Sequence, residues 1–302
     1  MSESQTPNLK DQTASRVVNN SARSRVTIIE SRAAGLGVDI FELWSYRYLI
    51  LHFVYRDFVV LYKQTVLGMI WWLLQPFLMA VVFTIIFGGI VGIKTDDVPT
   101  PLFYLSGITL WNYFLYCFLH TSQSFMDNRE LFKKIYFPRL VVPIAAIASN
   151  LMRFVLQLSL LVFFYSVYIF MGGSVRPTIF LLFFPLLIFF VALFALGLGL
   201  LTASLTTKYR DVMLTLPFFT QLWMYSSTVL FPLSLVPAKW QFWLSLNPLV
   251  PAIEIFRYMC FDSSNLIISP LSILSYVIIT IITLLLGIFT FNCIKQNFTD
   301  TI

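Results

Sequence analysis

Charge is scarce in this sequence. Of its 302 residues, 11% are Asp, Glu, Lys or Arg, 58% are hydrophobic, and the mean hydropathy is +0.82. Soluble domains are about a quarter charged, and a water-exposed surface this apolar would aggregate. The composition therefore excludes an ordinary soluble globular protein and predicts a protein that lies in a membrane.

Groups that carry chemistry are also few. Cys117, Cys260 and Cys293 are far apart and show no disulfide or metal spacing. The long uncharged stretches contain one histidine, His120, which suits packing better than catalysis, and they contain no carboxylate for proton coupling. The string Gly92 to Thr95 lacks the Gly-Lys pair of a phosphate-binding loop. We expect no catalytic residue, cofactor or metal in this chain, so energy must come from a partner.

The chain does contain six long uncharged stretches. About 20 apolar helical residues cross the hydrocarbon core of a bilayer, and each stretch exceeds that length. They are residues 64–93, 98–126, 154–175, 177–207, 212–238 and 263–294. The sequence therefore predicts an all-α polytopic membrane protein with six transmembrane helices.

The net charge of +6 is distributed by topology and does not indicate nucleic-acid binding. Most of the 20 Lys and Arg precede the first stretch or lie in alternate loops, and positive residues are retained on the cytoplasmic side. This pattern places both termini in the cytoplasm. We predict a mobile cytoplasmic tail over 1–36, an amphipathic interface helix over 37–64, a six-span domain over 65–295 and a cytoplasmic C-terminal tail over 296–302.

The interface helix is predicted from an aromatic stripe. Aromatic and apolar residues recur at spacings of three and four, with His52, Arg56 and Lys63 opposite them. The stripe consists of Trp44, Tyr48, Leu51, Tyr55, Phe58 and Tyr62. Such a helix lies in the plane of the bilayer interface.

The segment 237–262 is predicted to form short re-entrant helices between spans five and six. Its uncharged run over 240–253 is too short to span. We expect a break at Asn247-Pro248, with Asn247 capping the second helix. Trp240 and Trp243 would hold the first helix in the interface, and an exposed Glu254–Arg257 pair would anchor the second at the headgroups.

Arg153 is the one strongly charged residue predicted close to or within a span. The ordinary interpretation is a side chain that extends to the inner headgroups. The alternative is contact with an anionic group of a substrate that enters from the inner leaflet.

Three sequence motifs, one long and two short, carry a resemblance to a known family. The run from Tyr55-Arg56-Asp57-Phe58 to Tyr62-Lys63-Gln64-Thr65-Val66-Leu67-Gly68, followed by Trp71-Trp72-Leu73-Leu74-Gln75-Pro76, resembles the start of bacterial polysaccharide-export ABC transporter permeases. The shorter matches are Phe137-Pro138-Arg139 and Asn247-Pro248 before Arg257. The resemblance extends over nearly the whole chain from about residue 40.

This resemblance implies a homodimer of six-span subunits that carries two copies of a separate ATP-binding subunit in the bacterial inner membrane. ATP and Mg²⁺ would bind to that partner and drive export of a lipid-linked polysaccharide, with O-antigen preferred over capsule or teichoic acid. It also implies an interface helix that includes Arg56, Asp57 and Lys63, coupling helices in the inner loops and gate helices over 237–262.

Site predictions follow from these implied roles. Coupling to the ATPase is assigned to Glu130, Lys133, Lys134, Tyr209, Arg210 and Asp211, with the second loop contributing less because it is shorter. Sugars stack on aromatic rings, so the substrate path between two subunits is assigned to Trp71, Trp72, Tyr104 and Trp111, with Arg153. A lipid or drug exporter of the same class, or a membrane-embedded glycan-processing enzyme, are the alternatives; neighbouring ATPase and glycosyltransferase genes would distinguish them.

Overall fold

Helices account for all the regular structure among the described residues. The computed structural model describes residues 40–63, 68–135, 137–209, 211–262 and 269–297, which belong to one compact unit. The predicted tail over 1–36, Arg210 and the last five residues lie outside the described residues. The helices are α1 Ile40–Ser45, α2 Arg47–Lys63, α3 Ile70–Phe83, α4 Thr100–Asp127, α5 Arg129–Lys134, α6 Val141–Phe170, α7 Phe184–Lys208, α8 Asp211–Tyr225, α9 Ala238–Ser245, α10 Leu249–Phe261 and α11 Pro270–Asn297.

Five helical segments of the described chain are long and apolar enough to cross a membrane. They are Ile70–Ile90, Thr100–Asp127, Val141–Phe170, Ile179–Thr207 and Pro270–Cys293. Each corresponds to one of the six stretches predicted from the sequence, and the protein is thus an all-α polytopic membrane protein.

The predicted fifth span is not one continuous helix in the structure. Helix α8 has 15 residues and ends at Tyr225, which gives a length of about 22 Å, short of a hydrocarbon core of about 30 Å. The Ser226 and Ser227 hydroxyls donate hydrogen bonds back to the Trp223 carbonyl, and such bonds compete with continued helix. The chain then continues without regular helix to Pro232, so a count of six spanning helices is not confirmed.

Helix α4 is the central helix of the bundle. Most of its length is buried, and its aromatic side chains pack against several other helices. Phe114, for example, contacts the rings of Phe194 in α7 and Trp223 in α8 at centroid distances of 5.6 and 5.3 Å. These large side chains fill the centre of the chain, so its interior is a packed core.

The first span ends in an irregular turn. Helix α3 continues as a π-helical segment over Thr84–Ile90, and the Thr84 hydroxyl donates to the Ala80 carbonyl at 2.7 Å. Such widened turns occur frequently at functional sites of helices. A Cβ at Gly88 would collide with Thr100 at the start of α4, so glycine permits the close approach of the two elements.

Helix α6 begins earlier than the uncharged stretch that predicts it. The stretch begins at residue 154, but the helix begins at Val141 and has 30 residues. Arg153 therefore lies about 18 Å along the helix axis from Val141, well within the helix. A single charge ends an apolar run without breaking a backbone helix, which explains the difference.

The interface helix has one exposed face and one face that packs on the bundle. A break at Tyr46 separates α1 from α2. Trp44, Tyr48, Leu51 and Tyr55 of the aromatic stripe are exposed, whereas the opposite side of α1 and α2 packs on the start of α6 through Phe53 and its apolar neighbours. The exposed aromatic face suits contact with lipid.

The segment between α8 and α11 contains two short helices. Helix α9 runs from Ala238 to Ser245 and α10 from Leu249 to Phe261, with a break at Asn247-Pro248. The described part of α11 begins at Pro270, after residues 263–268, which lie outside the described residues. Helix α11 packs closely on α7, because a Cβ at Gly287 would collide with the carbonyl oxygen of Gly197.

Candidate functional site

The interface helix is fixed to the bundle by a polar pair. The Arg56 guanidinium forms an ion pair with Asp57 at 2.9 Å and donates to the Asn128 amide oxygen at 3.3 Å. The second carboxylate oxygen of Asp57 accepts a hydrogen bond from Ser149 in α6 at 3.0 Å. These contacts join α2 to the end of α4 and to α6. Lys63 is exposed at the end of α2.

Helix α5 is a short amphipathic element at the end of α4. Its apolar residues Leu131 and Phe132 pack inward, and Phe132 contacts the rings of Phe125 and Phe137 at 5.6 and 5.3 Å. Glu130 and Lys134 are exposed on its outer side. The side chain of Lys133 lies outside the described part of the chain. The charged side of α5 is thus available to another protein.

The second inner loop lies at the same end of the bundle. The Thr206 hydroxyl near the end of α7 donates to the Ser122 carbonyl near the end of α4 at 3.2 Å. Tyr209 and Asp211 are exposed at that end, while Arg210 lies outside the described residues. The fold therefore places the described residues of both predicted coupling loops at the same end of the helical bundle.

The aromatic residues predicted to line a substrate path differ in how far they are exposed. Trp71 is exposed and Trp72 is half-buried, whereas Tyr104 and Trp111 are 0% and 2% exposed. The Tyr104 ring packs against Phe83 and Phe103. Tyr104 and Trp111 therefore belong to the core of a single chain in this conformation, and only Trp71 and Trp72 retain a surface.

Arg153 lies beside a polar cavity. Its guanidinium is over the rings of Trp72 and Tyr116, at 5.0 and 5.2 Å from their centroids. The cavity has a volume of about 370 Å³ and is enclosed by α2, α4 and α6 with Trp72 of α3. Its polar lining includes Arg56, Asp57, His120, Ser124, Asp127, Asn128, Ser149 and Asn150.

The sequence analysis did not identify the amide residues that surround Arg153. Asn150 donates to the Ala146 carbonyl and contacts His120 Nδ1 at 3.1 Å, and Gln157 accepts a hydrogen bond from Asn112 at 3.4 Å. Asn150, Arg153 and Gln157 recur at spacings of three and four, which places them on one helical face. That spacing of polar groups in an apolar helix was the available signal.

The Glu254–Arg257 pair is buried, so the prediction of an exposed pair at the headgroups is wrong. Arg257 is 2% exposed and lies 3.3 Å from Glu254. Its guanidinium donates to the carbonyls of Thr228 and Val229 at 2.6 and 3.3 Å, and to that of Phe103 at 3.4 Å. The face of α10 that carries Arg257 packs on α4, which spacing along α10 alone does not reveal.

Burial changes the titration of this pair. Desolvation lowers the pKa of Arg257 to about 10, opposed by the nearby Glu254 carboxylate. Desolvation likewise raises the pKa of Glu254, opposed by Arg257. Arg257 is therefore still charged at neutral pH. It acts as a buried connection between α10, α4 and the segment after α8.

The residues at the break between α9 and α10 are hydrogen-bonded. The Asn247 amide oxygen accepts from the Leu249 backbone N–H at 3.2 Å and from the Trp223 indole at 3.0 Å, and its amide group donates to Ser227. Pro248 is the residue that immediately precedes α10. Trp240 and Trp243 are exposed on α9, as expected for residues at a membrane interface.

The described residues form no cluster of His, Cys, Asp and Glu that would hold a metal ion. The three cysteines are free, and Cys117 is buried in α4.

Comparisons with known proteins agree over most of the chain. The profile of the ABC-2 type transporter family matches residues 48–261. The O-antigen export system permease protein RfbA of Myxococcus xanthus is 26% identical over 264 residues, which cover 86% of this chain and 98% of the relative. A protein of the same description from Klebsiella pneumoniae is 26% identical over 246 residues, covering 81% and 91%.

Proposed function

This chain belongs to the ABC-2 type transporter family, and on that premise we propose that it is the transmembrane subunit of an exporter for a lipid-linked polysaccharide of the O-antigen class. The observation that carries the proposal is the match to an O-antigen export permease over 98% of that relative's length. The chain is thus a transport permease subunit, and its family implies a separate ATP-binding subunit.

The proposed partner binds at the end of the bundle formed by α5 and the loop after α7. Its two copies would hold ATP and Mg²⁺ and pass their motion to the permease as rigid-body displacement. The charged side of α5, with Glu130 and Lys134 exposed, supports this assignment because its apolar side is already packed on the bundle. A helix so anchored transmits a push to α4 and α6.

The proposed path for the glycan lies between two copies of the chain. The packed centre of one chain leaves no lumen among its described helices, whereas α3 and α8 expose apolar and aromatic side chains, among them Trp71, Leu78 and Phe218. A second copy would cover part of these faces and leave a hydrated route along the rest. Tyr104 and Trp111 would join that route only after α4 had moved.

In the proposed orientation, α5 and both termini lie in the cytoplasm. The membrane is the bacterial inner membrane. The excess of Lys and Arg in the segments before α3, between α4 and α6 and after α7 supports this orientation. Helices α9 and α10 then lie at the outer side, where they would line the exit and move aside as polymer passes.

Reconstitution with the ATP-binding subunit tests the function. The purified pair is placed in proteoliposomes with lipid-linked polysaccharide, the lipid carrier alone, or an amphipathic drug, and ATP-dependent transfer across the bilayer is measured. We expect transfer of the glycan-bearing lipid only, and none when the ATPase carries an inactivated phosphate-binding loop. Equal transfer of the bare carrier or the drug would contradict the proposal, as would transfer or ATP hydrolysis by the chain alone.

A further inference from the structure

The polar cavity between α2, α4 and α6 has the size and chemistry of a ligand site. Its volume of about 370 Å³ falls within the range of small-molecule pockets, about 300–1,000 Å³. One wall is the interface helix, and the others are two helices that cross the membrane. The cavity is partly open to the surroundings of the chain, and its lining carries donors from Arg56, Arg153 and His120.

Arg153 has no anionic partner among the described residues. Its guanidinium lies over the faces of Trp72 and Tyr116, and aromatic faces leave the N–H groups of a guanidinium free to donate at its edge. The carboxylate of Asp57 attracts it from a distance, but both Asp57 oxygens are engaged, one by Arg56 and one by Ser149. Asp127, the other acidic residue of the lining, interacts with Arg56.

An uncompensated charge within a spanning helix is costly, and such residues mark substrate or ion pathways. A guanidinium satisfies its donors best with a carboxylate or a phosphate, which it binds through two parallel N–H groups. Since the chain supplies no such group to Arg153, the missing acceptor is external. The half-buried position of Arg153 beside the cavity leaves room for it.

His120 supplies a second donor to the same cavity. The Asn150 amide nitrogen lies 3.1 Å from His120 Nδ1 and is also within reach of the carbonyls of Ala146 and Tyr116, at 2.8 and 3.3 Å. Because this nitrogen can only donate, an unprotonated Nδ1 fits the contact best, which places the proton of a neutral imidazole on Nε2. Among the described residues Nε2 has no hydrogen-bond partner. Asn150 itself is 1% exposed, and its amide oxygen has no partner either. The cavity is therefore lined by a guanidinium without an anionic partner and an imidazole N–H without an acceptor, whereas the Asn150 oxygen is buried behind its wall.

In the proposed orientation the cavity would lie near the depth of the inner lipid headgroups. Helix α6 has 30 residues and is about 45 Å long, whereas the hydrocarbon core measures about 30 Å. Its first turns therefore extend beyond the core, and the amphipathic α2 packs along them through Phe53. Arg153, about 18 Å from the start of α6, would then be near the boundary between this polar zone and the apolar part of the helix.

We propose that this cavity binds the phosphate or diphosphate ester headgroup of a lipid, with the Arg153 guanidinium and the His120 Nε2–H as donors to its oxygens. The Asn150 amide group, packed against Nδ1, favours the tautomer of His120 that donates from Nε2. Identification of this lipid as the polysaccharide carrier rests on the proposed function. The cavity would then be where the headgroup waits before transport.

Binding of defined lipids to the permease–ATPase complex tests the site. The probes are a polyprenyl diphosphate, a polyprenyl monophosphate, phosphatidylglycerol and inorganic diphosphate, each titrated against the complex in detergent. In Arg153→Gln we expect the dissociation constant of the polyprenyl diphosphate to rise about tenfold or more, since hydrogen bonds to charged groups are the strong ones. Arg153→Lys should lose less, because it keeps the charge without the planar fork.

Two further variants guard against a folding artefact. Arg176→Gln removes an exposed arginine beyond the other end of α6 and should leave binding unchanged. His120→Phe keeps a ring beside Tyr116 but removes the Nε2–H, and it should weaken binding severalfold. Thermal stability and ATP hydrolysis without lipid should match those of the unmodified complex in all four variants.

The outcomes distinguish a carrier lipid from a general phospholipid as the source of the phosphate. They also distinguish failure of the lipid site from failure of the proposed export function. Tight binding of the polyprenyl diphosphate with weak phosphatidylglycerol binding supports the carrier, and equal, competing binding supports a general phospholipid headgroup in the same cavity. Binding of inorganic diphosphate alone would overturn a lipid site. Undiminished lipid binding in both Arg153→Gln and His120→Phe would overturn the site yet leave the export function standing, because glycan transfer by the unmodified complex is measured independently.

Discussion

Arg257 shows how one side chain can hold an irregular segment in place. Its guanidinium joins carbonyls of Phe103, Thr228 and Val229 with the Glu254 carboxylate, so each of these groups loses one contact if it is removed. A Cβ at Gly107 would collide with this guanidinium, so α4 has a glycine at the point of contact. The arrangement is specific to arginine because it combines length, charge and several donors.

Replacing Arg257 by Met should therefore destabilise the chain strongly. Removing one partner of a buried ion pair costs about 3–5 kcal/mol, because the other charge is left uncompensated. Glu254→Gln should cost less, since Arg257 retains the carbonyls of Thr228 and Val229 as acceptors. Thermal unfolding of the purified chain is the measurement, with Arg176→Gln as the exposed control. Similar melting temperatures for Arg257→Met and Arg176→Gln would contradict the assignment.

Gly287 is a second residue whose role is set by a close approach. A methyl group there would meet the carbonyl oxygen of Gly197, and one at Gly197 would meet the backbone at Leu284. Gly287→Ala should force α7 and α11 apart and cost about 1–3 kcal/mol. Gly89→Ala is the matched control, because its nearest neighbour would be the Thr84 carbonyl oxygen at 3.9 Å. An unfolding midpoint of Gly287→Ala no lower than that of Gly89→Ala would refute tight packing at this point.

At the scale of elements, α5 carries the most direct test of coupling. Charge reversal in Glu130→Lys or Lys134→Glu should weaken the complex with the ATP-binding subunit about tenfold, which corresponds to about 1.4 kcal/mol, or lower export per ATP hydrolysed. The reason is that the exposed charges of α5 are the part of it not used for packing. Complex affinity, ATP turnover and glycan transfer are measured together.

Lys94→Glu provides the control for this experiment. Lys94 is equally exposed but precedes α4, at the opposite end of that helix from α5, so its reversal should change neither affinity nor coupling. If both α5 variants behaved like Lys94→Glu, α5 would be only a connection between α4 and α6.

The apolar runs in the sequence predicted the positions of the helices more accurately than their ends. The stretches ending near residues 126 and 207 agree with α4 and α7, because a charged loop ends each of them. The α6 boundary was placed at Arg153 because a charge ended the run, although the helix continues through it. The fifth stretch was predicted as a span because Ser226, Ser227 and Thr228 are uncharged, yet α8 ends at Tyr225, where the Ser226 and Ser227 hydroxyls bond back to the Trp223 carbonyl.

The site was predictable only in part, and the reason is distance along the chain. The charged loops after α4 and α7 were located because a run of charge is visible in the sequence, and their coupling role stays a prediction. The cavity was missed because it depends on residues 92 positions apart, such as Asp57 and Ser149, being brought together. The burial of Arg257 depends on a carbonyl 154 positions away. Helical spacing along a single element carries no information of this kind.

At the scale of the whole molecule, the exposed faces of α3 and α8 predict a symmetric contact between two copies. Single cysteines at Leu78 or Val82 on α3, or at Leu214 or Phe218 on α8, are introduced after replacement of the three native cysteines. Oxidation in membranes should give a disulfide-linked dimer at one or more of these positions, because a two-fold interface brings a residue near its own copy.

Ile278 on α11 is the control for cross-linking, since it is also exposed but lies outside the two helices proposed to form the contact between copies. Its cysteine variant should stay monomeric under the same oxidation. Dimers at Ile278 and none along α3 or α8 would place the seam elsewhere and remove the proposed path with it.

The buried position of Arg257 also orders the assembly of the chain during synthesis. Phe103 and Val229 have already left the ribosome when Arg257 emerges, so its carbonyl acceptors precede it into the membrane. Even beside Glu254 on the same helix, the Arg257 guanidinium is poorly tolerated in hydrocarbon without its carbonyl acceptors, and we therefore expect α10 to dock only after α4 has met the segment after α8. Docking of α10 thus reports that the earlier helices have packed correctly, and a misassembled chain would leave a charged, unsatisfied helix exposed to quality-control proteases.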